Sequence, residues 1–236
     1  MSIAENLAQI RDRIARAASS AGRDPAAICL VAVSKTHPAS AILDAATAGQ
    51  LLFGENRVQE FAGKAPELGS LVGQASYRLI GHLQSNKAAK AAELFDAVDS
   101  VDSLKLARRL DEAAAKLGKT LDILLEVNIG GEEAKAGLAA DSPELLRILV
   151  AAPTLANLRI RGLMTVPPIV EDVEAARPYF KKLRELRDSL RARQLPGVAL
   201  EELSMGMSHD FEAAIAEGST MVRVGTAIFG ARDYSL

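Results

Sequence analysis

The fold of this chain is decided by the stretch Ile28-Cys29-Leu30-Val31-Ala32-Val33-Ser34-Lys35-Thr36-His37-Pro38. Its first part is almost entirely apolar or β-branched, and a helical pattern opens at Pro38. A continuous apolar run bounded by a helix start is typical of a strand that is buried on both faces, as in parallel sheets. The stretch therefore predicts a buried parallel strand with Lys35 at its carboxyl end.

Lys35 stands where α/β folds commonly place their chemistry, at the carboxyl end of a strand. A partly desolvated ammonium group loses proton affinity and can become a free amine, which is able to form a Schiff base. The alternative is a lysine whose side chain simply extends from the strand end to solvent. Taken alone, Lys35 favours this second interpretation. The choice between the two depends on the residues in the rest of the chain.

Strand and helix patterns alternate along the sequence. Apolar residues at three- and four-residue steps from Ile3 to Ile14 predict an amino-terminal helix, which Gly22 ends. Candidate strands follow at 28–35, 51–55, 77–82, 96–101, 121–128, 159–165, 200–205 and 221–229. Helical patterns lie between them, at about 38–49, 56–69, 86–94, 103–117, 142–152, 171–193 and 209–217.

Eight strands separated by helices in 236 residues have the size and rhythm of a (β/α)8 barrel. No linker, low-complexity run or shift in composition divides the chain. We therefore predict a single TIM-type barrel domain over residues 1–236, with an extra amino-terminal helix. An open doubly wound sheet is the alternative, but the G-x-G-x-x-G turn of dinucleotide-binding folds is absent after the first strand.

Composition excludes several classes of partner. The formal net charge is −2, from 28 basic and 30 acidic residues, so no basic footprint indicates nucleic acid. The basic segment 177–193 is interrupted by Glu185 and Asp188 at helical spacing, which favours a solvated helix face over a nucleic-acid patch. The sequence has no secretory signal pattern and no apolar run of membrane-spanning length. We expect a cytoplasmic protein that binds neither nucleic acid nor membrane.

The single cysteine, Cys29, lies within the first predicted strand and excludes an intramolecular disulfide. Cysteines in such strands usually behave as small buried hydrophobic residues. We therefore expect Cys29 to be buried.

Polar residues follow most of the predicted strands. They include Lys35, Glu55-Asn56-Arg57, His82, Gln84-Ser85-Asn86-Lys87, Glu126, Asn128, Thr165, Ser204, Ser208, Arg223 and Thr226. Because the carboxyl ends of barrel strands meet at one rim, these side chains are expected to form one site.

The last two strand ends resemble an anion site. Barrels often bind phosphate in the loops after strands seven and eight, through backbone N–H groups and a helix N-terminus. Gly206 and Gly225 allow a close backbone approach, and Ser204, Ser208 and Thr226 offer hydroxyl groups. Each of these residues alone is more often a turn glycine or a capping residue. Together with a lysine on the same rim, they indicate a phosphorylated carbonyl cofactor.

At the level of motifs, the sequence resembles the pyridoxal phosphate homeostasis protein family along nearly its whole length. The similarity is carried, in order, by Val31-Ala32-Val33-Ser34-Lys35-Thr36, Phe53-Gly54-Glu55-Asn56-Arg57-Val58-Gln59-Glu60, Ile80-Gly81-His82-Leu83-Gln84-Ser85-Asn86-Lys87, Arg161-Gly162-Leu163-Met164-Thr165, Leu203-Ser204-Met205-Gly206-Met207-Ser208 and Val222-Arg223-Val224-Gly225-Thr226-Ala227-Ile228-Phe229-Gly230. The resemblance implies the barrel of bacterial alanine racemases and pyridoxal 5′-phosphate (PLP) held as a Schiff base on Lys35.

The resemblance also implies roles for individual residues. Ser204 or its neighbour Met205, with Gly225 and Thr226, would hold the phosphate. Asn56 would lie near the cofactor ring, and Arg223 would face the pyridine nitrogen. The chain departs from the family pattern at Arg57 and His209, and neither position has an assigned role. We assign no catalytic residue and no metal ligand.

The identity of Arg223 bears on whether the protein is an enzyme. A permanently charged guanidinium disfavours protonation of the pyridine nitrogen, and an unprotonated ring is a weaker electron sink. Racemases of this fold add a catalytic tyrosine from an additional β domain. We expect no such domain here, because the chain ends at Leu236 soon after the last strand. Tyr77, Tyr179 and Tyr234 offer no clear substitute.

The sequence therefore favours a PLP carrier without robust catalysis of its own. We expect a monomer that holds PLP on Lys35, buffers the cofactor in the cytoplasm and exchanges it with apo forms of PLP-dependent enzymes. The alternative is a PLP-dependent amino-acid racemase. A Schiff-base aldolase is a weaker third possibility, because the barrel favours it but the phosphate site does not.

Overall fold

Strands and helices alternate along the chain, as the sequence predicts. The structure, a computed structural model, describes residues 1–132, 136–168, 170 and 172–230. Within these residues the strands are β1 (Cys29–Val33), β2 (Leu52–Glu55), β3 (Ser76–Leu79), β4 (Ala97–Val101), β5 (Leu121–Asn128), β6 (Leu138–Ala139), β7 (Leu158–Met164), β8 (Val198–Ser204) and β9 (Met221–Val224).

Eight of these strands close into a parallel barrel. Their order is β1, β2, β3, β4, β5, β7, β8 and β9, and β9 pairs with β1 to close the ring. The short strand β6 pairs with the carboxyl end of β5 outside this ring. The predicted (β/α)8 barrel is therefore confirmed.

The helices surround the barrel and follow the predicted stretches closely. They are α1 (Ile3–Ser20), α2 (Ala39–Thr47), α3 (Val58–Leu68), α4 (Ala88–Leu94), α5 (Leu104–Lys116), α6 (Pro143–Ala151), α7 (Val173–Arg191), α8 (Phe211–Ala216) and α9 (Thr226–Phe229). No helix in the described part of the chain is long and apolar enough to cross a membrane.

Helix α1 precedes the first barrel strand, as the apolar spacing predicts. Ser2 and Glu5 form a capping box, in which each side chain accepts a hydrogen bond from the other residue's backbone N–H. The apolar face is buried at Leu7, Ile10 and Ile14, and it packs against α8 and α9. This helix therefore lies beside the elements that close the barrel.

The core between the sheet and the helices contains an aromatic group. Phe61 of α3 lies with its ring centroid 4.6 Å from that of Tyr77 and 5.0 Å from that of Phe95. Tyr77 also stacks on Phe53 at 5.7 Å, and all four side chains are buried. Such pairs favour tilted or offset geometry and add to the burial of apolar area. They pack α3 against β2 and β3.

The barrel interior also carries charge. Arg78 on β3 is ion-paired with Asp99 on β4 at 2.7 Å, and it reaches Glu202 on β8 at 3.4 Å. Because β3 and β8 are not neighbours in the ring, this contact crosses the interior of the barrel. A buried ion pair of this kind is stable only when both partners are present.

Two expectations about the strands are wrong. The predicted strand 221–229 stops at Val224, and Thr226–Phe229 form α9, whose first turn is closed by N–H groups of Ile228 and Phe229 donating to Gly225 O. A short apolar run does not by itself distinguish strand from helix. Cys29 is exposed rather than buried, because it is the first residue of β1 and the buried part of that strand begins at Val31.

Candidate functional site

A cavity of about 450 Å³ lies at the carboxyl ends of the barrel strands. This volume is within the range of small-molecule sites. Its polar lining comes from residues at or after the ends of six strands, namely Lys35, Asn56, His82, Glu126, Ser208, His209, Arg223 and Thr226. Val33, Ile80, Val166 and Met207 supply apolar walls. The expectation that the strand-end polar residues form one site therefore holds only for part of the set, since the cavity lining does not include Glu55, Arg57, residues 84–87, Asn128, Thr165 and Ser204.

Five of the seven predicted cofactor-binding residues line this cavity, namely Lys35, Asn56, Arg223, Gly225 and Thr226. Ser204 and Met205 do not, since both are fully buried and Met205 belongs to the hydrophobic core. In the loop after β8 the hydroxyl residue of the lining is Ser208, whose Oγ accepts a hydrogen bond from Gly225 N–H at 3.4 Å.

Gly206 has a structural task different from the one expected of it. Its φ of +94° lies in the left-handed region, and a Cβ there would lie 2.6 Å from Ala214 Cβ and 2.9 Å from Phe211 Cα. The glycine therefore allows the loop after β8 to pack against α8, rather than allowing a ligand to approach.

The residues on either side of Lys35 are held by a largely buried polar cluster, which we call the Lys64 cluster: Ser34, Glu55, Glu60 and Lys64. Lys64 Nζ donates to Glu55 Oε1 at 3.0 Å, to Glu60 Oε1 at 2.7 Å and to the carbonyl oxygen of Ser34 at 3.0 Å. Ser34 Oγ donates to the same Glu55 oxygen at 2.8 Å. The cluster joins the end of β1, the end of β2 and helix α3.

The residue after Lys35 depends on this cluster for its backbone conformation. Thr36 has φ of +65°, which a β-branched residue rarely adopts, and such a conformation costs about 1–3 kcal/mol. Its N–H donates to Glu60 Oε1 at 2.5 Å. The Lys64 cluster therefore offsets the strain of the turn that carries half-buried Lys35.

The two carboxyl groups of the cluster are shifted in opposite directions. Burial raises the pKa of Glu55, although the charge of Lys64 and the hydroxyl of Ser34 act against that rise. Burial alone would also raise the pKa of Glu60, but hydrogen bonds from Lys64 and from Thr36 N–H outweigh this effect and lower that pKa. The difference follows from exposure, because the Glu55 side chain is fully buried and that of Glu60 is 25% exposed.

Arg223 is a buried cation in the cavity wall. Its Nη1 donates to Ser204 Oγ at 2.7 Å and its Nη2 donates to Thr165 O at 2.7 Å. Burial lowers the pKa of the guanidinium, and the charges of Asp99 and Glu126 partly restore it. Because a guanidinium group is not deprotonated in proteins, Arg223 remains a cation. Ser204 thus acts on the site by fixing Arg223.

Glu126 was expected at the rim, but the sequence assigned it no role in binding. It is buried at the carboxyl end of β5, and its Oε2 has no hydrogen-bond partner among the described residues. Burial and the charge of Asp102 raise the pKa of Glu126 to about 7, against opposing effects of Arg223 and His82. Its position near the end of a predicted strand was the available signal, but no motif role marked it.

The chemistry of the lining suits a small phosphorylated carbonyl compound. Lys35 supplies a primary amine, Arg223 a fixed positive charge, and Ser208 and Thr226 hydroxyl groups beside Gly225. Among the described residues there is no grouping of three or more His, Cys, Asp or Glu side chains suited to a metal ion.

The sequence is similar to curated proteins over nearly its full length. Residues 6–233 match the family described as alanine racemase, N-terminal domain. The chain is 47% identical over 232 residues to the pyridoxal phosphate homeostasis protein of Pseudomonas aeruginosa, covering 98% of this chain and 96% of that protein. It is 45% identical over 234 residues to the protein of that name from Escherichia coli K12, covering 99% and 98% of the two chains.

Solved structures agree with this relationship. PipY of Synechococcus elongatus, determined with PLP bound, superposes with a TM-score of 0.81 at 41% identity, covering 97% of this chain and all of that chain. An alanine racemase from Clostridium difficile superposes with a TM-score of 0.71 at 16% identity, over 99% of this chain and 58% of that chain. The second likeness concerns the fold alone.

Replacing Lys64 by Met tests the buried cluster. Lys64→Met leaves two carboxyl groups without their cation, so we expect a loss of about 3–5 kcal/mol in the free energy of unfolding at pH 8. The loss should be smaller at pH 5, where the carboxyl groups can take up protons. Urea unfolding measures the stability, and hydrogen–deuterium exchange should show faster exchange at the Thr36 amide.

The matched control is Lys90→Met, which removes an exposed lysine paired with Glu93 on α4 and should change stability by less than about 1 kcal/mol. Equal effects of the two substitutions would show that the Lys64 cluster does not hold the Lys35 turn.

Proposed function

Because the chain belongs to the pyridoxal phosphate homeostasis protein family, we propose that it binds PLP in the cavity at the barrel rim and takes part in intracellular PLP homeostasis. The observation that carries this proposal is the meeting of Lys35, Asn56, Arg223, Gly225 and Thr226 around one cavity of suitable size. A related barrel, PipY, has been solved with PLP bound.

Lys35 is the proposed attachment point. PLP supplies an aldehyde, which a primary amine converts to a Schiff base with loss of one water molecule. The side chain of Lys35 is half-buried and shares the cavity with the cation Arg223. The Lys64 cluster holds the turn on which this amine is mounted.

The phosphate end of the cofactor is proposed to lie against the loops after β8 and β9. Thr226 and Ser208 offer hydroxyl groups there, and Gly225 brings backbone close to the cavity. In this proposal Ser204 contributes by fixing Arg223 rather than by contacting phosphate, since its Oγ already accepts from that guanidinium.

We propose a carrier rather than an enzyme because of the charge at Arg223. Two hydrogen bonds fix this guanidinium in the wall. Its positive charge disfavours a proton on a facing pyridine nitrogen. Of the tyrosines in the described part of the chain, neither Tyr77 nor Tyr179 lines the cavity. Tyr234 lies outside the described residues.

A carrier in this role exchanges PLP with apo forms of PLP-dependent enzymes, and we propose that this chain does so as a cytoplasmic monomer. The names of its relatives support a homeostatic role. Sedimentation of the PLP-loaded protein and transfer of PLP to an apo-enzyme test these two statements separately.

Lys35→Ala is expected to abolish covalent attachment of PLP and to leave the fold intact, because the side chain is half-buried at a strand end. The free energy of unfolding should change by less than about 1 kcal/mol. Borohydride reduction of the loaded protein, followed by peptide mass spectrometry, should place the pyridoxyl group on Lys35. The exposed Lys90→Ala serves as control. A pyridoxyl group on another lysine, with Lys35 unmodified, would defeat the assignment.

Pyridoxal, which has no phosphate, is expected to bind much more weakly than PLP. Each charge-assisted hydrogen bond lost should cost about 1.5–3 kcal/mol, or about ten- to a hundredfold in affinity. Thr226→Val should weaken PLP binding by a similar factor, whereas Thr47→Val on the exposed side of α2 should not. Equal affinities of the wild type for PLP and pyridoxal, measured by equilibrium dialysis, would exclude the phosphate site.

The PLP-loaded protein is expected not to racemise amino acids at enzymatic rates, because Arg223 weakens the electron sink. Enzymes commonly turn over at about 1–1000 per second. Chiral analysis of alanine and other amino acids after long incubation measures any conversion. Turnover in the enzymatic range that is lost in Lys35→Ala would replace the carrier by an amino-acid racemase.

A further inference from the structure

Glu126 has the features of an unassigned ligand-binding group. It lines the cavity, its side chain is otherwise buried, and the residue is only 9% exposed. Its Oε2 finds no hydrogen-bond partner among the described residues. The stem lies close to the segment before β6, since a Cβ at Gly137 would lie 3.2 Å from Glu126 Cγ. A carboxylate with an unpaired buried oxygen is costly, so its charged form becomes still less favourable when a ligand covers the rest of the side chain.

Charged groups face Glu126 from several elements. Asp102 follows β4 and acts against ionisation, whereas Arg223 on β9 and His82 after β3 favour it. His82 is itself paired with Asp102, at 3.4 Å between Nδ1 and Oδ2. Lys35 and His209 line the same cavity. Burial is the largest effect, and the resulting pKa of about 7 leaves the carboxyl group divided between its two forms near neutral pH.

We propose that Glu126 is a further PLP-binding residue and that its carboxyl group takes up one proton from solvent when PLP enters the cavity. This inference rests on the proposed function. A ligand that fills the cavity displaces the water through which Glu126 is still hydrated. The phosphate also adds negative charge. Both changes disfavour the carboxylate. Protonation removes the negative charge from this buried and incompletely hydrogen-bonded group.

The pH dependence follows from this order of protonation. At pH 6 the carboxyl group is protonated with or without PLP, so binding takes up little extra proton. At pH 8 it is ionised in the free protein and protonated in the complex. The affinity therefore falls as the pH rises above about 7, by up to about tenfold per pH unit, until the higher pKa of the complex is passed.

The experiment compares the wild type with Glu126→Gln, whose neutral amide has nearly the same shape as the protonated carboxyl group. Calorimetric titration of PLP into each apo-protein, in buffers of different protonation enthalpy, gives the number of protons bound. At pH 8 the wild type should take up as much as one proton more than Glu126→Gln, and at pH 6 the difference should vanish. The ratio of the wild-type Kd to that of Glu126→Gln should rise from pH 7 to pH 8 by up to about tenfold.

The other groups of the cavity are present in both proteins, so the difference between the two titrations reports on Glu126 together with the groups that its charge influences. Glu185→Gln, on the exposed face of α7, is the matched control and should behave as the wild type. Carbon-13 NMR of the glutamate side-chain carboxyl groups in the wild type supplies a second readout. One resonance, absent in Glu126→Gln, should titrate near pH 7 in the apo-protein and at higher pH with PLP.

Equal proton uptake by wild type and Glu126→Gln would overturn the inference while leaving PLP binding intact. Loss of PLP binding by Glu126→Gln at every pH would also overturn it, since an amide should replace a neutral carboxyl group. Failure of the wild type to bind PLP is a different result, and it would remove the proposed function itself.

Discussion

The contact between Lys64 and its two carboxylate partners is the interaction on which the site depends. Removing the ammonium group of Lys64 and the carboxylate of Glu55 from water costs free energy. Only a complete set of hydrogen bonds between such groups can offset that cost. The cluster supplies that set, and it joins β1, β2 and α3 at the point where the chain turns away from the barrel. The left-handed Thr36 is stable there because Glu60 accepts its N–H. The turn that carries Lys35 thus depends on the ion pairs of Lys64 with Glu55 and Glu60.

A second set of buried charges determines the electrostatics of the cavity. Arg223 is held by Ser204 and by the backbone of Thr165, and it lies in the field of Asp99, which is paired with Arg78 in the barrel interior. The interior ion pairs and the cavity therefore form one electrostatic system. In that system Arg223 supplies a constant positive charge. Glu126 can change its charge near neutral pH, because it is desolvated and its Oε2 has no hydrogen-bond partner in the described part of the chain.

Local sequence patterns failed where a residue's environment comes from distant elements. Thr226–Phe229 form a helix although their apolar run is typical of a strand. The N–H groups of Ile228 and Phe229 donate to Gly225 O rather than to a neighbouring strand. Met205 and Ser204 carry a recognisable motif, yet they face the core and Arg223 rather than the cavity. Cys29 belongs to an apolar run but is exposed at the start of its strand.

The sequence by itself determined the barrel, because the alternation of apolar strands with helices recurs eight times and parallel strands buried on both faces have few other arrangements. It also placed Lys35, Arg223 and Thr226 at one rim, since strand ends in a barrel must meet. Only the tertiary structure decided which strand-end groups face the cavity and which form hydrogen bonds or ion pairs elsewhere. Burial, pairing and pKa depend on residues far apart in the chain, so Glu126 acquires its chemistry from β3, β4 and β9, and no local pattern encodes that environment.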